Sequence, residues 1–507
     1  MTGTPATLTI TLVDGTQVVV NDTLEQITPY VLQEQGDWFE DEIRFLRRLV
    51  QPGQTVVDIG ANHGVYALSL ARKVGPTGQV WAFEPASDTA ALLQASIAAN
   101  GTAWLHLQRQ ALSDHTGTAW LQTSGQSELN SLGSDRQGPG EEVPLTTLDA
   151  CLDAFTWQQV DLLKIDAEGE EERILAGGRR FFRELSPLVM FELKAGTTLQ
   201  LELVERFQQL DYRCYRLVPG LDALMPFDPA DGVDGYLLNL FAAKPDRAEA
   251  LAAGGWLVHT ASPAPPEPAE LEPYHWRRVL TQLPYAQALA LWAYAQDPAR
   301  PIDRRLGALQ RSYALLSRQA RDRQQLTRLS SLARVAAELG ERSAALRALG
   351  QLIPALETES ELALEEPFLP PCCRFDGVAP EARPADWLIA AALESEELLG
   401  HYSSFYSGTR ARPRLERLQE LGFASAAMQK RLTLLNRRFP PPPPASPEME
   451  RPNPEQIACS KKAFDLIQAG EIERGRQLLA QAESMGDTCS VALHLMAKVV
   501  YALGDHE

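Results

Sequence analysis

Positive charge is scarce in this sequence. It has 47 Lys and Arg residues against 66 Asp and Glu residues, which gives a formal net charge of −19. An acidic chain repels the phosphate backbone of nucleic acids. The only basic clusters are short, at residues 179–183 and 410–414, and are typical of solvated helix faces. We therefore expect no nucleic-acid partner.

Long apolar runs are also missing. The sequence has no stretch of 18 or more apolar residues, and its first residues lack a positively charged segment followed by an apolar one. A membrane span and a secretory signal are therefore not expected. A cytoplasmic location is the simplest expectation.

Cysteine is used sparingly and without a pattern. The six cysteines form no Cys-x-x-Cys pair and join no histidine at the spacing of zinc ligands. A chain of this length needs no disulfides to fold, so reduced thiols are expected. The sequence also predicts no zinc site and gives no requirement for another metal.

The length of 507 residues exceeds what one hydrophobic core usually serves, so several domains are expected. Composition changes at a Pro-rich stretch and again at a run of five prolines, both typical of linkers. The predicted segments are an N-terminal hairpin and helix (1–50), an α/β domain (51–250), a linker (251–273), a helical region (274–436), a Pro-rich spacer (437–454) and a helical unit (455–507).

The first half alternates short apolar segments with amphipathic ones. Asp14-Gly15 between two alternating runs predicts a hairpin, and a helix is predicted over 38–50. Strands alternating with helices predict a doubly wound, mostly parallel sheet with helices on both faces. The predicted strands are 55–59, 79–83, 105–111, 160–165, 188–192 and 235–244, the last at a sheet edge; the predicted helices are 63–74, 88–99, 170–176 and 199–210.

The second half is rich in good helix formers. Residues 331–353 and 458–482 each indicate two helices separated by a Gly-Glu turn, and a further helix is predicted over 491–503. Such units resemble tetratricopeptide repeats. A plain helical bundle is the alternative.

A glycine-rich turn follows the first apolar strand of the α/β domain. The string Asp58-Ile-Gly60-Ala-Asn62-His-Gly64 lies between this strand and a helix. Open α/β sheets bind ligands at the carboxyl ends of their parallel strands, and glycine allows a close approach of the backbone. The turn therefore predicts a ligand site.

An acidic residue ends the next strand. Glu84 follows Gly60 by 24 residues, a spacing typical of an acid that accepts hydrogen bonds from ribose hydroxyls. A dinucleotide site would have Gly-x-Gly-x-x-Gly, but Asn62 stands at the second glycine position. The pattern predicts a nucleoside cofactor other than a nicotinamide dinucleotide.

Four further motifs follow in order and permit a resemblance to be named. Together with the glycine turn, they resemble the FkbM family of class I, S-adenosylmethionine-dependent methyltransferases over about residues 25–245. The Lys-Ile-Asp-x-Glu-Gly-x-Glu string is the most specific. The motifs are Phe83-Glu-Pro85, Ala111-Leu-Ser-Asp114, Lys164-Ile-Asp-Ala-Glu-Gly-Glu170 and Pro187-Leu-Val-Met-Phe-Glu-Leu193.

The resemblance implies a Rossmann-like fold with S-adenosylmethionine as cofactor. Glu84 would bind the ribose. Asp166 and Glu168 would face the methyl group and the acceptor. The remaining implied positions are Asp58, Gly60, Asn62 and Gly64 around the methionine part, and Ser113 and Asp114 near the adenine.

A hydroxyl acceptor needs a base, and Asp166 is the first choice, followed by Glu168 and Glu192. Each carboxylate could instead cap the following helix. Asp166 and Glu168 could also hold a metal if the acceptor were a diol. His63, at the start of the first helix, is interpreted as structural rather than as a base.

The resemblance suggests O-methylation of a sugar, a glycan or another small hydroxylated product. N-methylation is the nearest alternative. The other alternative is an adaptor that uses its helical half to bind a protein or peptide. The helical half could bind a protein partner, mediate self-association or recruit the acceptor.

Overall fold

The chain divides into two compact units, Met1–Arg438 and Phe439–Glu507. The computed structural model describes most of the first unit and part of the second. The described residues are 6–133, 138–195, 198–271, 283–319, 326–358, 366–381, 383–441, 454–469 and 471–483.

The predicted N-terminal hairpin is confirmed. Strands β1 (Thr7–Thr11) and β2 (Gln17–Asn21) pair antiparallel, and Gly15 adopts a left-handed φ of 83° in the turn. Two helices follow, α1 (Ile27–Gln35) and α2 (Asp41–Leu49). The helix predicted over 38–50 corresponds to α2, and α1 was not predicted.

The remaining strands and the helices of the α/β region follow in chain order. The strands are β3 (Thr55–Ile59), β4 (Gln79–Phe83), β5 (Leu105–Gln108), β6 (Ala111–Leu112), β7 (Gly117–Gln122), β8 (Ser131–Gly133), β9 (Gly140–Thr146), β10 (Leu162–Ile165), β11 (Leu188–Glu192), β12 (Lys194–Ala195), β13 (Thr198–Leu199), β14 (Arg213–Val218), β15 (Ala223–Pro226) and β16 (Asn239–Ala243). The helices are α3 (Val65–Val74), α4 (Ser87–Asn100), α5 (Leu148–Ala154), α6 (Glu171–Ala176), α7 (Arg179–Glu184), α8 (Glu202–Gln209) and α9 (Pro245–Ala253).

Eight strands form the central sheet, in the order β15-β14-β16-β11-β10-β3-β4-β5. Strands β11, β10, β3, β4 and β5 are parallel, whereas β16, β14 and β15 are antiparallel. The sheet is therefore mixed. The prediction that the strand within 235–244 closes the edge is wrong, because β16 lies between β14 and β11.

Side chains alternate between two hydrophobic clusters on the two faces of this sheet. On β3, Val56 belongs to one cluster, and Val57 and Ile59 belong to the other. Successive strand residues point to opposite faces, so both faces are covered. The carboxyl ends of these strands are polar and are not covered by the two clusters, so a ligand site can form there.

A small second sheet is inserted after β5. Its strand order is β6-β9-β7-β8, and it stands apart from the central sheet. The strand predicted over 105–111 is consequently broken into β5 and β6. The 3₁₀ turn Ser127–Leu129 of this insertion reaches back to α1.

Helices follow from residue 283 onward. They are α10 (Leu283–Gln296), α11 (Ile302–Gln319), α12 (Leu326–Leu339), α13 (Arg342–Thr358), α14 (Pro384–Gly400), α15 (Ser404–Ser407), α16 (Arg412–Leu421), α17 (Ala426–Arg438), α18 (Pro454–Gln468) and α19 (Ile472–Glu483). The turn predicted between α12 and α13 is present, with Gly340 at a φ of 85°. The tetratricopeptide assignment and the segment boundaries stay predictions.

Helices α10 to α17 belong to the same compact unit as the α/β region. Arg216 of β14 pairs with Glu341 at 3.0 Å, and the amide of Gly220 donates to the carbonyl of Glu338 at 2.8 Å. The helix predicted over 491–503 and most of the proline run 440–444 lie outside the described residues. In the described part of the chain, no helix has the length and apolar character needed to cross a bilayer.

Candidate active site

A cleft opens at the carboxyl ends of β3, β4 and β10, with a cavity volume of about 140 Å³. This position is typical of small-ligand sites in α/β proteins. The insertion and the N-terminal segment both contribute to its walls. The polar residues lining it are Thr28, Glu40, Asp58, Asn62, His63, Tyr66, Glu84, Gln110, Ser127, Glu128, Asn130, Lys164, Asp166, Glu168 and Glu170.

The glycine turn after β3 is packed tightly between two neighbouring strands. The amides of Gly60 and Ala61 both donate to the carbonyl of Phe83, at 3.0 and 2.9 Å. Gly60 has a φ of 74°, and a Cβ there would lie 1.7 Å from the carbonyl oxygen of Asp166. The protein's own backbone therefore requires glycine at position 60, in addition to any ligand.

Asp58 is a buried carboxylate that faces the cleft. Its side chain is 1% exposed, and neither oxygen has a hydrogen-bond partner among the described residues. The ammonium of Lys164 lies 3.6 Å away, but it is bound more closely by Asp166, at 2.8 Å. A buried carboxylate without donors is costly, so this geometry fits a cationic group of a ligand.

Lys164 is the cation that holds this edge of the cleft together. Burial opposes its charge, but the negative charges of Asp166 and Asp58 raise the pKa of Lys164 above its ordinary value. Its ammonium also lies 5.2 Å from the centre of the Tyr66 ring. Lys164 is therefore a fixed positive charge between two of the predicted site residues.

Glu84 is held at the end of β4 by backbone donors. Its two oxygens accept from the amides of Asn62 and Ala86, both at 2.9 Å. Burial nevertheless raises the pKa of Glu84 to about 7. Its position beside the glycine turn is suitable for accepting hydrogen bonds from ribose hydroxyls. Asn62 adopts a left-handed φ of 50°, and its side chain contacts His63.

His63 is buried, and burial lowers the pKa of its imidazole. Its Nδ1 lies 2.6 Å from the Oδ1 of Asn62. A neutral ring that is tied to its neighbour agrees with a structural role.

Ser113 and Asp114 are placed differently from the other candidates. The Ser113 hydroxyl donates to Glu170 at 2.9 Å and is buried, whereas the Asp114 carboxylate is directed to His115 at 2.6 Å. The preceding residues Ala111 and Leu112 line the cleft. A role for Ser113 and Asp114 near the adenine stays a prediction.

The three candidate bases come together. One oxygen each of Asp166, Glu168 and Glu192 lies within 4.8 Å of the others. Burial and the neighbouring negative charges of Asp166 and Glu171 raise the pKa of Glu168 to about 7. Burial and the charges of Asp166 and Glu168 raise the pKa of Glu192 to about 10. Such a cluster attracts cations, so the expected independence from metal stays a prediction.

The capping alternative for Glu168 is not realised. The following helix begins at Glu171, and its N-cap residue Glu170 makes no side-chain capping hydrogen bond. The backbone amides of Ala167 and Gly169, which precede this helix, donate to Glu171 at 2.9 and 3.1 Å. Glu168 has a left-handed φ of 47°, which is uncommon for a residue with a side chain. Strained backbone of this kind is found most often at functional sites.

Two walls of the cleft come from segments to which the sequence assigned no site residues. Glu40, just before α2, accepts a hydrogen bond from the Tyr66 hydroxyl, and burial raises its pKa. Glu128 of the insertion accepts from the amide of Thr28 at 3.0 Å, at the start of α1. The residues of neither segment are spaced as in a recognisable motif. Only the run of aromatic and acidic residues at 38–40 could have indicated a site from the sequence.

Comparisons with known proteins find similarity over part of the chain. Residues 58–214 match the family model described as the methyltransferase FkbM domain. No curated protein matches the chain. Among solved structures, a putative rRNA methylase from Clostridium thermocellum is 12% identical, with a TM-score of 0.27, over 41% of this chain and 96% of that one.

Two O-methyltransferases of known structure are similar to this chain to about the same extent. The enzyme from Thermotoga maritima is 15% identical with a TM-score of 0.24, over 45% of this chain and 73% of that one. The enzyme from Bacillus cereus, in complex with SAH, is 13% identical with a TM-score of 0.25, over 40% and 80%. These comparisons thus identify a match to the methyltransferase FkbM domain over residues 58–214.

Proposed function

We propose that this protein is an S-adenosylmethionine-dependent methyltransferase that methylates a hydroxyl of a sugar, a glycan or another small product. The observation that carries the proposal is the buried carboxylate of Asp58, which faces the cleft, accepts no hydrogen bond of ordinary length among the described residues and has Lys164, at 3.6 Å, as its cationic neighbour. The match of residues 58–214 to a methyltransferase domain supports it. The acceptor class comes from the resemblance to the FkbM family.

The residues of the cleft fit the cofactor. Asp58 would bind the ammonium of its methionine part, and Glu84 would accept from the ribose hydroxyls. The turn from Gly60 to Gly64 would lie beneath the cofactor. When bound, S-adenosylmethionine supplies a methyl group on a sulfonium that is already activated for displacement. The protein then has to position the acceptor in line and remove its proton.

The geometry favours Glu168 over Asp166 as the base. Asp166 binds Lys164 at 2.8 Å, whereas no described residue donates a hydrogen bond to the Glu168 carboxylate. A base is most effective when its pKa lies near the working pH, and burial raises that of Glu168 to about 7. Asp166 would then orient Lys164 and the acceptor.

N-methylation is the second candidate. The acid-rich edge formed by Asp166, Glu168 and Glu192 would attract an amine as well as a hydroxyl compound. An amine needs less help from a base once it is neutral. Mass spectrometry of the methylated product separates the two reactions.

Replacing Asp58 by Asn should weaken binding of S-adenosylmethionine by about 10- to 150-fold, because a charged hydrogen bond contributes about 1.5–3 kcal/mol. Calorimetric titration of the full chain measures the effect. Asp153→Asn is the matched control, since Asp153 is an exposed acid in an ion pair on the surface. NAD is titrated in parallel. A wild-type protein that is folded and binds NAD, or neither ligand, would contradict the proposal.

Affinity for S-adenosylmethionine should rise about three- to tenfold between pH 6 and pH 8. Glu84 and Glu168 have pKa values raised to about 7, so each holds a proton at pH 6. A bound sulfonium would expel the proton of Glu168, and ribose hydroxyls that donate to Glu84 would favour its ionised form. The groups that set the pKa of Glu168 besides burial are Asp166, Glu171, Glu128 and Lys164.

S-adenosylhomocysteine is the matched ligand for this measurement, because it lacks the sulfonium charge. Its affinity should change less with pH, and Glu168→Gln should reduce the difference between the two ligands. Equal pH dependence of both ligands in the wild type would show that these carboxylates do not sense the sulfonium.

A further inference from the structure

A hairpin loop of the inserted sheet lies against the start of α1. The loop consists of residues 123–130 and connects β7 to β8, which is an edge strand of that sheet. The amide of Ser124 donates to the side chain of Asn130 at 2.9 Å, and the amide of Gln126 donates to the hydroxyl of Ser124 at 3.0 Å. These bonds make the loop a compact unit, which we call the strap.

Side chains of the strap cap the first turn of α1. The first amides of a helix have no partner within the helix, and the residue before α1, Gln26, makes no side-chain capping bond. Instead, the amide of Ile27 donates to Gln126 at 2.9 Å. The amide of Thr28 donates to Glu128 at 3.0 Å. The start of α1 is therefore capped by a segment that follows it by about 100 residues in the chain.

Two further bonds complete this connection, and both are made by side-chain amides. That of Gln126 donates to the carbonyl of Glu25 at 2.7 Å. That of Gln26 donates to the carbonyl of Gly125 at 3.3 Å. Among the described residues, no backbone-to-backbone hydrogen bond joins the strap to α1, and Leu129 of the strap is 58% exposed. Contacts of this kind can separate without unfolding the sheets.

The same contacts close one side of the cleft. The residues of this connection that line it are Thr28, Ser127, Glu128 and Asn130. The second carboxylate oxygen of Glu128 is buried and has no hydrogen-bond partner among the described residues.

The cleft is small in this closed form. Its cavity of about 140 Å³ compares with roughly 300–1,000 Å³ for pockets that enclose small-molecule ligands. A nucleoside cofactor therefore requires one of the walls to move. Strands β3, β4 and β10 are tied to each other by backbone hydrogen bonds, so the strap is the wall that can separate most easily.

We propose that the strap is a lid over the cofactor site, which releases α1 when S-adenosylmethionine enters or leaves. The proposal rests on the proposed function, since it assigns how the ligand of that same cleft gains access. When closed, the strap excludes water from the reacting groups. Because the strap has to open for both association and dissociation, its contacts with α1 slow both steps by the same factor.

The test measures the rates at which the full chain binds and releases S-adenosylhomocysteine, by stopped-flow fluorescence. Trp38 lines the cleft and serves as the probe. Gln126→Ala removes two of the bonds to α1, and Gln126 itself does not line the cleft. Both rate constants should rise by about five- to thirtyfold, while the dissociation constant changes by less than about threefold. Gln26→Ala weakens the connection from the side of α1 and should also raise both rate constants.

Gln158→Ala is the matched control, because Gln158 is exposed and donates within its own turn, to the carbonyl of Thr156 at 3.3 Å. It should leave both rate constants unchanged. If the strap were a fixed wall, Gln126→Ala would leave the association rate unchanged. A result in which the two rate constants do not rise together, in Gln126→Ala or in Gln26→Ala, overturns this inference alone. Failure of S-adenosylhomocysteine to bind the folded wild type contradicts the proposed function.

Discussion

Gly60→Ala should lower the free energy of unfolding by about 4 kcal/mol and abolish cofactor binding. A left-handed φ costs an L-residue about 1–2 kcal/mol, and forced overpacking adds about 1–3 kcal/mol. Both apply here, because φ is 74° and the new Cβ would lie 1.7 Å from the backbone oxygen of Asp166. Relief requires β3 and β10 to separate at the cleft. Urea unfolding followed by circular dichroism measures the loss.

The variant Gly101→Ala separates the cost of the left-handed backbone conformation from the cost of the steric clash. Gly101 ends α4 at a φ of 64°, and no atom lies within 4 Å of the position of its Cβ. This variant should lose only about 1–2 kcal/mol and keep cofactor binding. Equal losses in the two variants would mean that the contact with Asp166 is not as tight as described.

Arg431→Met should lower the free energy of unfolding by about 3–5 kcal/mol. Arg431 is 2% exposed and bridges two buried carboxylates, Glu34 of α1 and Glu397 of α14, each at 2.9 Å. Removal of the guanidinium leaves Glu34 without its cation inside the protein. Arg414 still binds Glu397 at 2.6 Å, so the larger part of the loss should come from Glu34.

A double variant tests whether the unpaired carboxylate of Glu34 causes this loss of stability. Glu34→Gln in the Arg431→Met background should recover stability, because a neutral amide costs less to bury than an unpaired carboxylate. Arg417→Met is the matched control, since the pair of Arg417 with Glu420 is exposed and contributes about 0–1 kcal/mol. A loss for Arg431→Met no larger than that of the control would exclude a buried ionic anchor.

The parallel part of the fold could be predicted because its strands are apolar on both faces. Strands β3, β4 and β11 have the predicted bounds for this reason. Strand β14 was missed because Arg213 and Arg216 interrupt the apolar residues of Arg213–Val218, so the segment shows neither a continuous apolar run nor a strict alternation. The insertion was missed because β7 is largely exposed and has no apolar pattern.

The candidate site could be predicted only where its residues follow strand ends. Asp58, Glu84, Asp166 and Glu168 meet at the cleft because parallel strands end at one edge. Glu40 and Glu128 also line the cleft, but they come from segments whose pattern indicated no site residue. Local spacing cannot identify a side chain whose neighbours are distant in the sequence.

The bond between Tyr30 and Ser404 joins residues 374 positions apart. During synthesis at about 5–20 residues per second, Tyr30 leaves the ribosome roughly 20 to 75 seconds before Ser404 can reach it. In that interval the strands of the α/β region can pair, while α1 still exposes Glu34 and the apolar face that α15 and α17 later cover. The nascent chain therefore exposes a surface that the folded protein buries, and such a surface is prone to aggregate until residues up to 431 have emerged.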